Sequence, residues 1–333
     1  MTDASNFNPR LVVDAKNILG EGPVWDDRRQ ALLWIDIEGK TLHTYAPAGG
    51  KTATYPLPMR PCSFALREAG EGLLFAFEDG FAVYDPFVAD LSISTPPKYL
   101  SASDYVEGHS YHRHGQVRLN DGRCDRHGRF IAGGYNGDEG DAEAGREWEC
   151  ICGVYVVETQ ASTTGKREAA GEKKETKMVA REMFPFKVRC ANSTAFSPDG
   201  SVMYFADSPN REIWAFDYDW KAGRVKAESK RVFATIPSPG VPDGSCVDSE
   251  GFVWNAEFFS GRVVRYSPEG NVDRVLQLPV SRVTCPCLGG ADLKTMYMTC
   301  ASAGIERGTE EGSGGLWALE VETPGLPEAR FRG

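Results

Sequence analysis

The chain repeats one kind of sequence unit six times, and this repetition limits its fold more than any other feature does. In each unit a short apolar run meets a turn rich in Asp, Gly and Pro, and further apolar or aromatic runs follow. The units begin at Val24, Phe64, Arg123, Ala195, Cys246 and Pro286. Short runs bounded by such turns indicate antiparallel strands, and no segment shows a sustained helical period. The sequence therefore predicts an all-β fold, a six-bladed β-propeller in which each blade covers its neighbours' faces.

The repetition also predicts the domain organisation. We expect one propeller domain over residues 1–333, with an insertion in the third unit over about residues 158–177. The insertion has low hydrophobicity and dense charge, which predicts a solvated hairpin tip, with a lid or partner-docking loop as the alternative. A strand around Leu11 to Asp14 has no unit of its own. We expect it to be an outer strand that closes the ring.

The composition restricts the possible partners and the compartment. The chain has 37 basic and 47 acidic residues, a formal charge of −10, and no basic stripe, so nucleic acid and anionic membranes are excluded as partners. The polar N-terminus and the lack of a membrane-length apolar run predict a cytoplasmic protein. Nine cysteines fit reduced thiols. The pairs Cys150/Cys152 and Cys285/Cys287 lack zinc-ribbon spacing, and we interpret them as buried structural thiols.

One position in the repeat carries oxygen-bearing side chains. The residues three places before each unit are Glu21, Pro61, Asn120, Asn192, Asp243 and Val283, and four of these six are carboxylates or carboxamides. Equivalent positions before the innermost strands of a propeller surround its central channel, so these four side chains should converge. Mixed oxygen ligands suit a hard cation such as Ca²⁺, Mg²⁺ or Mn²⁺. Turn formation by Asp and Asn beside Gly is the alternative, but it does not explain Glu21 or the shared register.

Four segments carry a resemblance to a known family. They resemble, in the same order, the signature segments of the regucalcin–gluconolactonase family, which includes luciferin-regenerating-enzyme-like proteins. The segments are GEGPVW at 20–25, RLNDGRCD at 118–125, ANSTAFSPDG at 191–200 and PDGSCVDSEG at 242–251. The similarity extends over essentially the whole chain outside the 158–177 insertion.

The resemblance implies a metal site on the propeller axis. Glu21, Asn192 and Asp243 match the family's metal ligands, and Asp243 also matches its proton acceptor and donor. The implied cofactor is one divalent cation, Ca²⁺, Mg²⁺, Mn²⁺, Zn²⁺ or Fe²⁺. The family usually has Gly after the asparagine ligand, whereas this chain has Ser193, so the local backbone could differ there.

The resemblance also implies the substrate class. Arg118 and Asn120 match substrate-contacting positions, and an acidic contact falls on Asp138, or on Glu139 if the alignment slips by one residue. The implied function is a metal-dependent hydrolase that opens a sugar (aldono-) lactone to the aldonic acid. The metal would polarise the carbonyl, and Asp243 would act as general base and acid.

Other functions stay open at this point. Another ester or organophosphate hydrolase on the same propeller would share the metal site but have a more apolar mouth. A non-enzymatic calcium-binding propeller is the second alternative, since one fold hosts many functions. His109, His112 and His114 could bind a transition metal, but their spacing fits a loop over the channel mouth better.

Overall fold

The computed structural model describes residues 8–87, 117–138, 147–161 and 176–333, which form six antiparallel sheets arranged as a six-bladed β-propeller. The chain begins with β1 (Arg10–Val13). The first blade contains β2 (Gly20–Asp26), β3 (Ala31–Asp36), β4 (Thr41–Ala46) and β5 (Lys51–Pro56). The second contains β6 (Pro61–Leu66), β7 (Leu73–Phe77) and β8 (Gly80–Tyr84). The third contains β9 (Val117–Cys124), β10 (Phe130–Asn136), β11 (Val154–Ala161) and β12 (Thr176–Glu182).

The remaining blades follow the same order from the axis outward. The fourth contains β13 (Ala191–Phe196), β14 (Val202–Asp207), β15 (Glu212–Asp219), β16 (Arg224–Val225) and β17 (Arg231–Thr235). The fifth contains β18 (Val241–Val247), β19 (Val253–Phe258), β20 (Arg262–Tyr266) and β21 (Val272–Gln277). The sixth contains β22 (Val283–Gly289), β23 (Thr295–Cys300) and β24 (Leu316–Glu320). Two 3-10 turns occur at Ser208–Asn210 and Ala227–Ser229, and no helix in the described part of the chain could cross a membrane.

The N-terminal strand closes the ring, as the sequence predicts. β1 pairs antiparallel with β24 and so becomes the outer strand of the sixth blade, with Leu11 opposite Trp317. Its bounds are one residue earlier than expected. This pairing covers the edge of the last blade and joins the two ends of the propeller.

The hydrophobic core is divided among the six interfaces between neighbouring blades. Leu33 of the first blade, for example, packs in one cluster with Phe75 of the second. Trp254 of the fifth blade likewise shares a cluster with Met298 of the sixth. Each sheet is therefore covered on both faces, which explains why the inner strands are apolar along their length.

An irregularity at the same place in every blade shapes the channel wall. The ladder between the inner strand and its neighbour shifts register beside each of the six axial positions. In the first blade the shift falls between Glu21 and Val24, and in the fourth it falls between Asn192 and Ala195. We expected these positions just before the strands, but they lie within them, because pairing resumes on both sides of the bulge. A bulge re-aims a side chain without ending the strand.

The polar insertion is shorter than predicted. Glu158–Ala161 belongs to β11 and residues 176–177 belong to β12, and the two strands pair through to Ala161 and Thr176. The expectation of a solvated tip is therefore wrong at both ends of 158–177. Glu158 stays in the sheet because it forms ion pairs with Arg129 and Arg181. Residues 162–175 lie outside the described part.

The cysteines are all free thiols, as expected. Cys152, Cys285 and Cys287 are buried. Cys150 is exposed, so the interpretation of both C-x-C pairs as buried is wrong for this residue. It lies in a stretch without strand pairing, where no neighbouring sheet covers it.

Candidate active site in the axial channel

A cavity of about 220 Å³ opens on the propeller axis, at the bulges of the inner strands. Five of the six residues that the sequence predicts for the site line it, and they come from the first, third, fourth and fifth blades. These residues are Glu21, Arg118, Asn120, Asn192 and Asp243. Residues separated by more than 200 positions in the chain thus meet at one point, as the shared register predicts.

Glu21 and Asp243 form the acidic centre of the cavity. Removal from bulk water raises the pKa of Glu21 to about 8, and the neighbouring charge of Asp121 adds to this effect. Burial also raises the pKa of Asp243 well above its usual value, with the Glu21 carboxylate as the next cause. The two side chains share a hydrogen bond. The Gly22 backbone N–H donates to Glu21 Oε2 at 2.9 Å and orients that carboxylate.

Asp121 is a third acidic residue at the site, and the sequence reasoning missed it. Its carboxylate acts electrostatically on both Glu21 and Asp243, and burial raises its own pKa. The Thr194 backbone N–H donates to Asp121 Oδ2 at 2.8 Å. Its position directly after Asn120, in an Asn-Asp-Gly sequence, made a turn the simpler interpretation. The bulge in β9 instead contains both residues: Asn120 lines the cavity, and Asp121 acts on Glu21 and Asp243 through its charge.

Both the oxygen and the nitrogen of the Asn192 carboxamide form hydrogen bonds. Its Nδ2 donates to Ser208 Oγ at 2.8 Å, and its Oδ1 accepts from Asn120 Nδ2 at 3.1 Å. The next residue, Ser193, has a φ of 59°, close to the 55° of Gly22 after Glu21. Ser193 therefore adopts the left-handed conformation that glycine favours, and its Oγ lies 2.7 Å from Ser245 Oγ.

Arg118 is a buried cation in the cavity wall, with 6% of its surface exposed. Its Nη1 donates to Asn120 Oδ1 at 2.5 Å and to the carbonyl of Leu119 at 3.0 Å. The guanidinium carbon lies 4.6 Å from the centre of the Tyr135 ring. This stacking helps to hold the guanidinium plane in the cavity wall.

Asp138 is not brought into the cavity. It is exposed beyond the end of β10, and its backbone N–H donates to Asn136 Oδ1 at 3.1 Å. Its role in substrate binding stays a prediction. Glu139 and the three histidines at 109, 112 and 114 lie outside the described residues.

Aromatic side chains form the outer part of the cavity. Trp148, Phe258 and Phe259 line it, and 47% of Phe259 is exposed, against 7% of Asp243. Asp243 is therefore deep in the cavity and Phe259 lies near the mouth. Phe259 has a φ of 73°, which is strained for a bulky residue. The sequence pattern does not single out these residues, because they are not part of the repeated register of oxygen-bearing side chains.

The oxygen atoms of Glu21, Asp243 and Asn192 fit a divalent cation. Two adjacent buried carboxyl groups are costly as anions, and burial raises the pKa of each. For Glu21 this effect outweighs the nearby charge of Arg118. A divalent cation would remove this cost. No three His, Cys, Asp or Glu side chains form a metal cluster in the described part of the chain, so the third protein ligand would be the Asn192 carboxamide.

Comparison with protein families gives a match over most of the chain. Residues 19–302 match the model of the SMP-30/Gluconolactonase/LRE-like region. An L-arabinolactonase from Azospirillum brasilense is 35% identical over 328 residues, covering 97% of this chain and 95% of the relative. A 6-deoxy-6-sulfogluconolactonase from Pseudomonas putida is 32% identical over 333 residues, covering 98% of this chain and 100% of the relative.

Solved structures support the fold. A calcium-binding protein, regucalcin, from Agrobacterium tumefaciens superposes with a TM-score of 0.78 at 24% identity, and 98% of each chain is covered. The described part of this chain and that structure therefore share the same fold.

Proposed function

The chain belongs to the SMP-30/gluconolactonase/LRE-like family, and we propose that it is a carboxylic-ester hydrolase that opens a sugar lactone to the aldonic acid. The names of two relatives above 30% identity support this substrate class. One observation carries the proposal. Two adjacent carboxyl groups, two carboxamides and a buried guanidinium line a single cavity on the propeller axis. This set can bind a cation, move a proton and hold hydroxyl groups.

We propose that Glu21, Asn192 and Asp243 hold one divalent cation among Ca²⁺, Mg²⁺, Mn²⁺, Zn²⁺ and Fe²⁺. When bound, such a cation supplies Lewis-acid polarisation of the ester carbonyl and lowers the pKa of water. The carboxylates must lose their protons first, because a ligand binds in its deprotonated form. Their raised pKa values therefore predict that cation binding releases protons.

Asp243 is the proposed proton acceptor and donor. Its side chain reaches the cavity from a bulge, and Asn255 Nδ2 donates to its backbone carbonyl at 3.0 Å, which holds the strand in place. Asp243 would accept a proton from the attacking water as the new C–O bond forms. It would return that proton to the ring oxygen as the lactone C–O bond breaks. The products are one carboxylic acid and one free hydroxyl.

Arg118 and Asn120 are the proposed substrate contacts. The guanidinium can donate to sugar hydroxyls or to an oxygen that gains negative charge. Asn120 forms part of the same wall, and its Oδ1, which accepts from Arg118, keeps a second lone pair that can accept from a hydroxyl. Asp138, or the adjacent Glu139, stays the proposed acidic contact.

Acid release from a panel of aldonolactones tests the proposal. In a pH-stat the wild-type protein should release acid with added Ca²⁺, Mg²⁺ or Mn²⁺, and a chelator should stop the reaction. Asp243→Ala and Glu21→Ala should each abolish both the activity and the stabilisation by cation. Glu322→Ala, on an exposed side chain, is the matched control and should behave like wild type. Full activity of chelator-treated Asp243→Ala would contradict the mechanism.

The aromatic mouth supports a second candidate within the same chemistry. Phe258, Phe259 and Trp148 give the cavity the apolar outer part that an aryl-ester or organophosphate hydrolase requires. Assaying the panel beside an aryl ester and a paraoxon-like ester separates the two candidates. A preference for the aryl esters would replace the sugar-lactone proposal. No acid release from any substrate, with cation binding intact, would favour a calcium-binding propeller.

A further inference from the structure

A directional chain of hydrogen bonds runs through the wall of the cavity. Arg118 Nη1 donates to Asn120 Oδ1 at 2.5 Å, and Asn120 Nδ2 donates to Asn192 Oδ1 at 3.1 Å. Asn192 Nδ2 then donates to Ser208 Oγ at 2.8 Å, and Ser208 Oγ–H donates to the carbonyl of Pro242 at 2.7 Å. The chain thus connects the third, fourth and fifth blades and ends one residue before Asp243.

The two ends of this chain determine its direction. A guanidinium has only donors, and a backbone carbonyl has only acceptors. Because Ser208 has a single hydroxyl proton and gives it to Pro242, its oxygen can only accept from Asn192. The side of the Asn192 carboxamide that faces Ser208 must therefore be the NH₂ group. Its oxygen must face Asn120 and the cavity.

Ser208 is well placed to enforce this orientation. Only 5% of its surface is exposed, and it lies in the 3-10 turn that follows β14, opposite Asn192. Its backbone N–H donates to the carbonyl of Cys190 at 3.0 Å, which holds the turn against the start of β13. The other contact of Asn192 Nδ2 is Cys190 Sγ at 3.6 Å, a weak acceptor. Ser208 is thus the stronger partner of the amide nitrogen.

We propose that Ser208 is a positioning residue for the cation site, which presents the Asn192 oxygen, rather than its NH₂ group, to the bound ion. This role rests on the proposed function, because it requires Asn192 to be a ligand. Without the Ser208 hydroxyl, the Asn120 Nδ2 contact at 3.1 Å is left as the hydrogen bond of this chain that favours an inward oxygen, so the amide is less firmly oriented. An inward NH₂ group would repel a cation. Partners that orient a ligand in this way typically change metal affinity by about 10- to 100-fold.

Calorimetric titration of the chelator-treated protein with CaCl₂, MgCl₂ and MnCl₂ tests the role of Ser208. We expect Ser208→Ala to weaken the binding of the ion that the wild type prefers by about tenfold or more. Ser201→Ala removes an exposed hydroxyl from the turn before β14 and is the matched control, which should leave the affinity unchanged. Circular dichroism and thermal denaturation check that each variant is folded.

A double-mutant cycle separates orientation from general damage. A carboxylate presents oxygen on both sides, so in an Asn192→Asp background Ser208→Ala should have little effect on affinity. An unchanged affinity in Ser208→Ala alone would overturn the role of Ser208. An equal loss in both backgrounds would overturn it too, since it would indicate a structural defect. If the wild type binds none of the three ions, the proposed cation site fails and the role of Ser208 fails with it.

Discussion

The carboxyl groups of Glu21 and Asp243 hydrogen-bond to each other in the axial channel, although the first and fifth blades carry them. Burial is the main cause of the raised pKa of each, and the charge of Asp121 acts in the same direction on both. The Glu21 carboxylate also raises the pKa of Asp243, whereas the hydrogen bond with Asp243 lowers the pKa of Glu21. The charge of Arg118 lowers the pKa of Glu21 but does not offset the larger effect of burial. The folded protein therefore holds protons near neutral pH that the unfolded chain releases.

This proton binding predicts how the stability of the cation-free protein depends on pH. The pKa of Glu21 rises from 4.5 to about 8 on folding, so its favourable contribution is complete below about pH 4.5 and is lost as the pH rises through 8. The raised pKa of Asp243 acts in the same direction. We expect the melting temperature in EDTA to fall from about pH 5 to pH 8. Thermal denaturation across this range measures the slope.

Two variants test the assignment of this slope. Glu21→Gln removes the titrating group, so its melting temperature should change less with pH than that of the wild type. Glu322→Gln removes an exposed carboxylate and should keep the wild-type slope. If Glu21→Gln is as pH-sensitive as the wild type, the proton uptake on folding belongs to other residues.

Arg118→Ala is expected to weaken substrate binding and leave the cation site intact. The loss of charged hydrogen bonds should raise KM about tenfold or more. The three proposed ligands are unchanged, and Asn120 Nδ2 keeps its 2.9 Å bond to the carbonyl of Ala191. Lactone kinetics measure KM and calorimetry measures cation affinity. Arg118→Lys, which keeps the charge but not the planar fork, should be intermediate. Loss of cation binding in Arg118→Ala would show that its role is misassigned.

The parts of the site that the sequence predicts are those that repeat. The axial residues Glu21, Asn120, Asn192 and Asp243 occupy one register, and a propeller turns a shared register into a shared location. The ring-closing strand is similarly predictable, because an apolar run without a blade of its own needs a sheet edge. Both inferences use local patterns and the symmetry of the fold alone.

The remaining parts depend on contacts that occur once. Arg123 Nε donates to Glu328 Oε1 at 3.0 Å, across 205 positions of sequence. The C-terminal segment that carries Glu328 also contains Phe331, which is completely buried. No unit repeats this segment, so no pattern indicates it. Ser208 is similar, since its importance lies in which atoms it contacts. The sequence did not identify Asp121 as a site residue for another reason, because Asn-Asp-Gly is also a typical turn sequence.

The left-handed residues after Glu21 and Asn192 predict a measurable difference in stability. A Cβ on Gly22 would have free space, with its nearest neighbour in Ile35 at 3.9 Å, so Gly22→Ala should cost only the backbone penalty of about 1–2 kcal/mol. At Ser193 the same penalty is already present. Ser193→Gly relieves it but loses the contact with Ser245. Ser193→Ala keeps the penalty and loses the contact as well.

Urea denaturation of these variants measures the penalty. Ser193→Gly should be more stable than Ser193→Ala by about 1 kcal/mol, and close to the wild type. Equal stability of the Gly and Ala variants at position 193 would mean that the left-handed backbone there is not strained.

We expect Phe259 to strengthen substrate binding and to lower the stability of the fold. Its φ of 73° is unfavourable for a bulky residue, and its ring lies at the mouth of the cavity with 47% of its surface exposed. Phe259→Gly should therefore keep or raise the melting temperature while raising KM for the lactone by about three- to tenfold, or roughly 1 kcal/mol. Phe259→Ala should raise KM equally, because it also removes the ring. It should be less stable than Phe259→Gly, because it keeps the strained backbone.

The control for this prediction is Val275→Ala, which removes an equally exposed apolar side chain from β21 and should leave KM unchanged. A wild-type KM in both Phe259 variants would mean that the strained aromatic residue serves no purpose in substrate binding.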